Sequence, residues 1–174
     1  MRWFWIDRFV EFESGKHATS IKTVSLAEEQ NHDHFPGVPI MPNSLIIEGL
    51  AQTAGMLAAE LGGWKERVVL AKLAKAVFHF PAVAGDRLTY RATLDDYSKT
   101  GAIASTTAHV DGELQAEAQM FFAHVDETFA GKSLFKAGQM YDMVRTWGVF
   151  EVGKAADGSR LMPTESLIHD GEEI

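Results

Sequence analysis

The sequence predicts an α+β fold in which a curved antiparallel sheet wraps around one long central helix, with a C-terminal extension beyond it. Three features carry that expectation: a helical segment over about 44–61 that is apolar nearly all round, two strand-like segments before it and four after it. A helix with no polar face has to be surrounded by other structure. Alternating segments joined by tight turns supply an antiparallel sheet to surround it.

Segments 3–12 and 16–24 read as strands, and Glu13-Ser14-Gly15 between them is turn chemistry, so a hairpin opens the fold. Pro36, Gly37, Pro39 and Pro42 come next. Their fixed φ angles and missing donors exclude regular helix and leave a rigid, largely preformed loop. The central helix has Asn43 or Ser44 as its expected N-cap and Gly62-Gly63 as its stop. Gly49, Ala51, Ala54, Gly55, Ala58 and Ala59 let a sheet approach it closely.

Strands are expected over 68–80, 87–98, 102–110 and 113–125, punctuated by Ala84-Gly85-Asp86, Lys99-Thr100-Gly101 and Asp111-Gly112. The Asp-Gly pair is a tight-hairpin signal. In the tail, segment 134–147 has helical spacing, with Phe135, Met140, Met143, Val144 and Trp147 apolar, and is expected to dock on the core. Asp170-Gly171-Glu172-Glu173 are expected to fray. The division is thus one domain over 1–126 and an extension over 127–174.

A chain of 174 residues is long enough to bury a real core as a single domain. With 46% hydrophobic and 23% charged residues and no run of eighteen apolar ones, it reads as globular, with no membrane span. The opening Met-Arg-Trp-Phe-Trp-Ile-Asp-Arg meets charge at Asp7 and lacks a signal peptide's apolar region. The absence of cysteine excludes disulfides, a thiol nucleophile and thiolate metal sites, and is compatible with a reducing cytoplasm. A net charge of −8 without a dense basic run argues against nucleic-acid binding. The densest positive group, Lys65, Arg67, Lys72 and Lys75, reads as solvated surface.

Chemistry concentrates in residues 34–52, where His34 precedes Glu48 across the proline-rich loop. Glu48 sits amid Leu45, Ile46, Ile47 and Leu50; desolvation there favours a protonated acid that can donate. A histidine titrates near neutrality and can accept a proton, so an acid and a base facing across a pocket suit an elimination or the reverse hydration. His32-Asp33-His34 would share alternate positions on a strand, but without a further placed ligand this is a weak zinc signature, and no metal is expected. His17, His79, His109, His124 and His169 show no spacing that suggests chemistry. Trp3, Phe4 and Trp5 read as core or subunit interface.

Taken together, Phe4-Trp5-Ile6-Asp7-Arg8, Glu13-Ser14-Gly15-Lys16, His34-Phe35-Pro36-Gly37, Pro39-Ile40-Met41-Pro42, Glu48 and Ala51-Gln52 resemble the (3R)-3-hydroxyacyl-[acyl-carrier-protein] dehydratases of the hot-dog fold. The likeness continues through Ala76-Val77-Phe78, Pro81, Gly85-Asp86 and Asp111-Gly112, about seven-tenths of the chain. It implies that His34 takes a proton from C2 of a 3-hydroxyacyl thioester carried by acyl carrier protein, while Glu48 assists departure of the C3 hydroxyl. It also implies substrate-binding positions at Gly37, at Gln52, which orients the Glu48 carboxyl from one turn away, and at the Asn43 backbone N–H, which serves the oxyanion. No cofactor is implied. In similar enzymes one site takes its His and Glu from two subunits, so a homodimer, or a trimer of such dimers, is expected.

Two departures stand out. Relatives usually carry Gly-Val where this chain has Asn43-Ser44; the backbone donor is kept, but the Asn side chain occupies room that glycine leaves open. A changed entrance or chain length, or an impaired site, is the expectation. The second departure is the tail, which the resemblance does not cover. These departures raise a non-catalytic acyl-thioester-binding protein as one rival; a hot-dog acyl thioesterase is the other, because the same fold hosts thioesterases, while Glu48, where similar bifunctional enzymes have Asp, argues against double-bond isomerisation.

Overall fold

The computed structural model describes residues 3–34, 36–65, 67–125, 139–165 and 167–168. The strands are β1 (Arg8–Glu13), β2 (His17–Thr23), β3 (Arg67–Phe78), β4 (Arg87–Ser98), β5 (Gly101–Val110), β6 (Glu113–Val125) and β7 (Gly153–Lys154). The helices are α1 (Gln30–Asp33), α2 (Asn43–Leu61), α3 (Gln139–Thr146) and α4 (Val149–Val152). The strands form one sheet in the order β3-β6-β5-β4-β2-β1-β7. All neighbours are antiparallel except β1 and β7.

The hairpin expected at the start is present, but β1 begins at Arg8 rather than Trp3. The reason lies in where the preceding backbone groups go. The Trp5 N–H donates to Gln52 Oε1 at 2.9 Å and the Trp3 carbonyl accepts from Gln52 Nε2 at 2.7 Å, so this stretch hydrogen-bonds to the central helix instead of a neighbouring strand. The later strands do not pair in simple succession either. β4 pairs along β2, from His17 opposite Thr93 to Thr23 opposite Arg87, and the β4-β5-β6 meander then builds outward. Strand β3 closes the far edge against β6, two strands away from β4. The β5–β6 turn puts Asp111 at φ 51° and Gly112 at φ 85°, the double left-handed geometry that an Asp-Gly hairpin provides.

Helix α2 runs through the sheet's inner face, with Ile46, Leu50, Ala54, Leu57 and Ala58 fully buried. A β-carbon at Gly49 would lie 2.4 Å from Cε2 of the buried Tyr90 ring, so β4 approaches as closely as a glycine permits. Expected caps Asn43 and Ser44 are instead the first two helical residues. Pro42 is the N-cap, and its carbonyl accepts from Leu45 and Ile46 at 2.9 and 3.2 Å. Proline's fixed φ allows the turn into the helix, and it brings no capping side chain. At the other end the Trp64 N–H reaches back to the Ala59 carbonyl at 2.9 Å, with Gly63 and Trp64 both at positive φ.

The chain after residue 138 returns to the β1 edge. β7 pairs with β1, placing Phe12 opposite Gly153, and the Phe9 N–H donates to the Trp147 carbonyl at 2.8 Å. The Trp147 ring, 1% exposed, packs against Phe4 and Phe9 at centroid distances of 5.0 and 6.3 Å. Segment 134–138 of the expected tail helix, the boundary near 126 and the final acidic residues lie outside the described residues. No helix among those described is long and apolar enough to cross a membrane.

Candidate active site

Glu48 projects from α2 into a cavity between the helix, the β3–β6 end of the sheet and the extension. It lines this cavity, of about 510 Å³, together with Ala51, Gln52, Gly55, Met56 and Ala59. These positions recur every three or four residues, so they form one face of the helix. Val68 and Leu70 from β3 and Phe122 from β6 form a facing wall.

Within this cavity Gln52 Nε2 donates to Glu48 Oε1 at 2.9 Å. The same amide holds the Trp3 carbonyl and the Trp5 N–H, so its plane and its donor direction are fixed from three sides. The pairing of Glu48 with Gln52 that the four-residue spacing predicts is therefore present. Glu48 is only half-buried, so its own chain does not supply the full apolar enclosure expected from its neighbours in the helix. Leu45 and Ile47 are likewise only partly covered.

His34 follows α1 as its C-cap, with helical backbone angles of −63° and −45°, and is exposed. Among the described residues it is not part of the Glu48 cavity wall. Its segment is hung on β2 by a buried polar group. Lys22 Nζ bonds the Glu28 carboxylate and the Thr23 carbonyl, Glu28 accepts from the Ser25 N–H, and the fully buried Asn31 donates to the Ser25 carbonyl at 2.8 Å. His32 and His34 fall on α1 and its cap rather than on a strand, so residues two apart face different ways, contrary to the shared face expected from sequence. Among the described residues no three His, Asp or Glu side chains gather as a metal site.

Gly37 lies in the loop at φ 84°, with open space where a β-carbon would stand. The backbone angle, not crowding, explains glycine there. Asn43 and Ser44, both exposed, open α2. Their N–H groups precede the first intrahelical bonds and so are available at the positive end of the helix.

Sequence reasoning missed part of the cavity wall. Trp3 and Phe4, read as core or interface, line it, and so do Met140, Met143 and Trp147 of the extension. The 140, 143, 147 spacing marks a helical face, but nothing in it indicates which surface the face covers.

A long helix cradled by a curved antiparallel sheet, with a carboxyl and an amide one turn apart on its cavity-lining face, defines a hot-dog fold protein with an acid-bearing pocket. A family model described as a FabA-like domain matches residues 3–119. The chain belongs to that family. Curated relatives named 3-hydroxyacyl-[acyl-carrier-protein] dehydratase FabZ include one from a Nitratiruptor species, 38% identical over 70% of this chain and 87% of the relative. Another, from Acetivibrio thermocellus, is 39% identical over 70% of this chain and 84% of its own length. Among solved structures, the dehydratase heterocomplex ApeI:P from Xenorhabdus doucetiae superposes with a TM-score of 0.61 at 13% identity, covering 72% of this chain and 85% of that one. The smu.793 protein of Streptococcus mutans bound to acetyl CoA gives 0.59 at 15% identity, covering 72% and 94%. At those identities the two structures attest the fold alone.

Proposed function

We propose that this chain is a hydro-lyase that dehydrates (3R)-3-hydroxyacyl-[acyl-carrier-protein] to trans-2-enoyl-[acyl-carrier-protein] in fatty acid synthesis. The observation that carries the reading is the Glu48–Gln52 pair, a carboxyl oriented by an amide at the head of an apolar cavity, in a chain of the FabA-like family. His34 removes the C2 proton of the thioester. The electron pair of that C–H bond becomes the C2=C3 double bond as the C3–O bond breaks, and the hydroxyl leaves as water with the proton of Glu48. Charge that grows on the thioester carbonyl oxygen is met by the Asn43 backbone N–H at the start of α2, with the Gly37 loop shaping the approach. Gln52 holds the Glu48 carboxyl toward the reacting carbon.

The working unit in this proposal is a homodimer, or a trimer of such dimers, in the cytoplasm, with acyl carrier protein delivering the substrate. Two observations support a site shared between subunits. His34 is outside the Glu48 cavity wall among the described residues. Strand β3, twelve residues long, leaves one edge of the sheet open with Leu70 and Leu73 exposed at 39% and 38%, an edge that a second copy would cover. Residues 1–126 would then be the catalytic domain and 127–174 an accessory extension.

The test is hydration of a trans-2-enoyl thioester, followed by loss of its conjugated absorbance, for the native chain, His34→Ala and Glu48→Gln. Native protein should consume the conjugated bond without releasing free thiol. Each variant should fold and lose about 10²–10⁴-fold in rate, the range for a positioned acid or base. Release of thiol would point to a thioesterase, and binding without turnover would overturn the dehydratase reading.

A further inference from the structure

The cavity beside Glu48 has walls of two origins. The α2 face and β3 fall within the residues matched by the FabA-like model, whereas Met140, Met143 and Trp147 lie beyond residue 119 in a segment that model does not reach. One wall of the pocket is thus supplied by the extension. The three residues stand at i, i+3 and i+7 on α3 and its exit turn, a single helical face.

That face is anchored rather than loosely apposed. The Trp147 N–H bonds the Met143 carbonyl at 2.9 Å, and the Trp147 carbonyl in turn accepts from β1 at Phe9. Gly148 at φ 68° then turns the chain into α4, whose Phe150 packs edge-on against Trp64. The pocket extends along α2 from Glu48 to Ala59, about 16 Å by helical rise. On α2 its polar groups, Glu48 and Gln52, sit at the N-terminal end of that run and the rest of the face is Ala, Gly and Met, while on α3 Gln139 is the polar residue beside Met140 and Met143. Methionine, unbranched and polarisable, suits a wall that must accept a flexible apolar chain.

We propose that α3 is a specificity wall, with Met140, Met143 and Trp147 bounding the acyl chain of the thioester and setting the chain length this protein prefers. The inference rests on the dehydratase reading for its substrate, but its test does not need turnover. Binding of a ladder of saturated acyl-pantetheine thioesters, short to long, is measured by calorimetry on the full-length native chain, on Met140→Ala/Met143→Ala and on Met143→Phe. Trp147 is left intact because its ring holds Phe4 and Phe9. Hydration of the matching trans-2-enoyl thioesters is followed in parallel, and circular dichroism confirms that each variant folds.

Removing the two thioether side chains makes room for roughly two further methylenes, so the long-to-short affinity ratio should rise about tenfold. Met143→Phe should shift it the other way. If both folded variants reproduce the native chain-length profile, or if no saturated thioester binds, the wall assignment is wrong. A profile that moves while native protein hydrates nothing would retain the wall and overturn the dehydratase. Hydration with an unmoved profile would do the reverse.

Discussion

Gln52→Met tests the link between the opening segment and the acid. Methionine nearly conserves volume, so the substitution removes hydrogen bonds without opening a cavity. Three bonds are lost, and they differ in weight. The Trp3 carbonyl bond is at an exposed residue, 58% accessible, where water replaces the amide at little cost. The Trp5 N–H belongs to a residue only 8% exposed, and leaving a buried donor unpaired costs about 1–3 kcal/mol. The Glu48 bond is partly buried and contributes about 0.5–1.5 kcal/mol. The sum, about 2–4 kcal/mol, corresponds for a chain of this size to a melting temperature lower by roughly 5–10 °C. Hydration should also slow by roughly 10²-fold, because an acid displaced by an ångström loses that much, and the loss should fall on kcat more than on KM. Thermal unfolding and enoyl-thioester kinetics on the same preparation check both. Unchanged melting together with native kcat would refute the role of Gln52 as the group that positions Glu48 and ties down residues 3–5.

Gly49→Ala should destabilise even though alanine is the better helix former. The propensity gain of about 1 kcal/mol is outweighed because the new β-carbon would sit 2.4 Å from a fully buried ring, at the upper end of the roughly 1–3 kcal/mol overpacking range. A net loss of about 2 kcal/mol in urea unfolding is expected, and a gain would mean that Tyr90 is free to withdraw. Glu60, near the end of α2, has its pKa raised above the ordinary 4.5 by burial, partly opposed by a hydrogen bond with Ser14. Its raised folded value means that its contribution is fully present below the unfolded pKa and is lost as pH rises through the folded one. Glu60→Gln should therefore gain stability relative to native protein as pH rises from the ordinary carboxylate value of 4.5 through the raised folded one. Parallel stability–pH curves for the two would contradict this assignment.

Much of the fold is legible in the sequence because its signals are local. The Asp111-Gly112 hairpin, the Gly62-Gly63 stop and the all-round apolar α2 each follow from a residue's own backbone freedom or from the pattern around it. Pairing partners are not legible in the same way. That β3 lies against β6 while β4 takes the edge of β2 is a matter of long-range order that no single segment announces. The start of β1 escapes local reading for a related reason. The aromatic stretch at Trp3 has strand composition, yet a glutamine some fifty residues later claims its backbone. At the site, Glu48 and Gln52 are readable from their four-residue spacing, whereas Met140, Met143 and Trp147 show an apolar face without showing what it faces. Half-exposure of Glu48 is hidden too, since helix composition reports the residues beside a carboxyl and not whether a second layer covers them.

A dehydratase site whose base and acid come from two copies of the chain is open to a direct test by subunit complementation. His34→Ala and Glu48→Gln proteins, each inactive alone, are mixed, allowed to exchange subunits, and assayed for hydration of a trans-2-enoyl thioester. In a shared-site dimer the hybrid pairs the intact His34 of one chain with the intact Glu48 of the other at one of its two sites. Random exchange should then restore about a quarter of native activity. If exchange is complete and no activity returns, the two residues do not form a site across the interface, and elimination by a His34–Glu48 pair shared between subunits is contradicted.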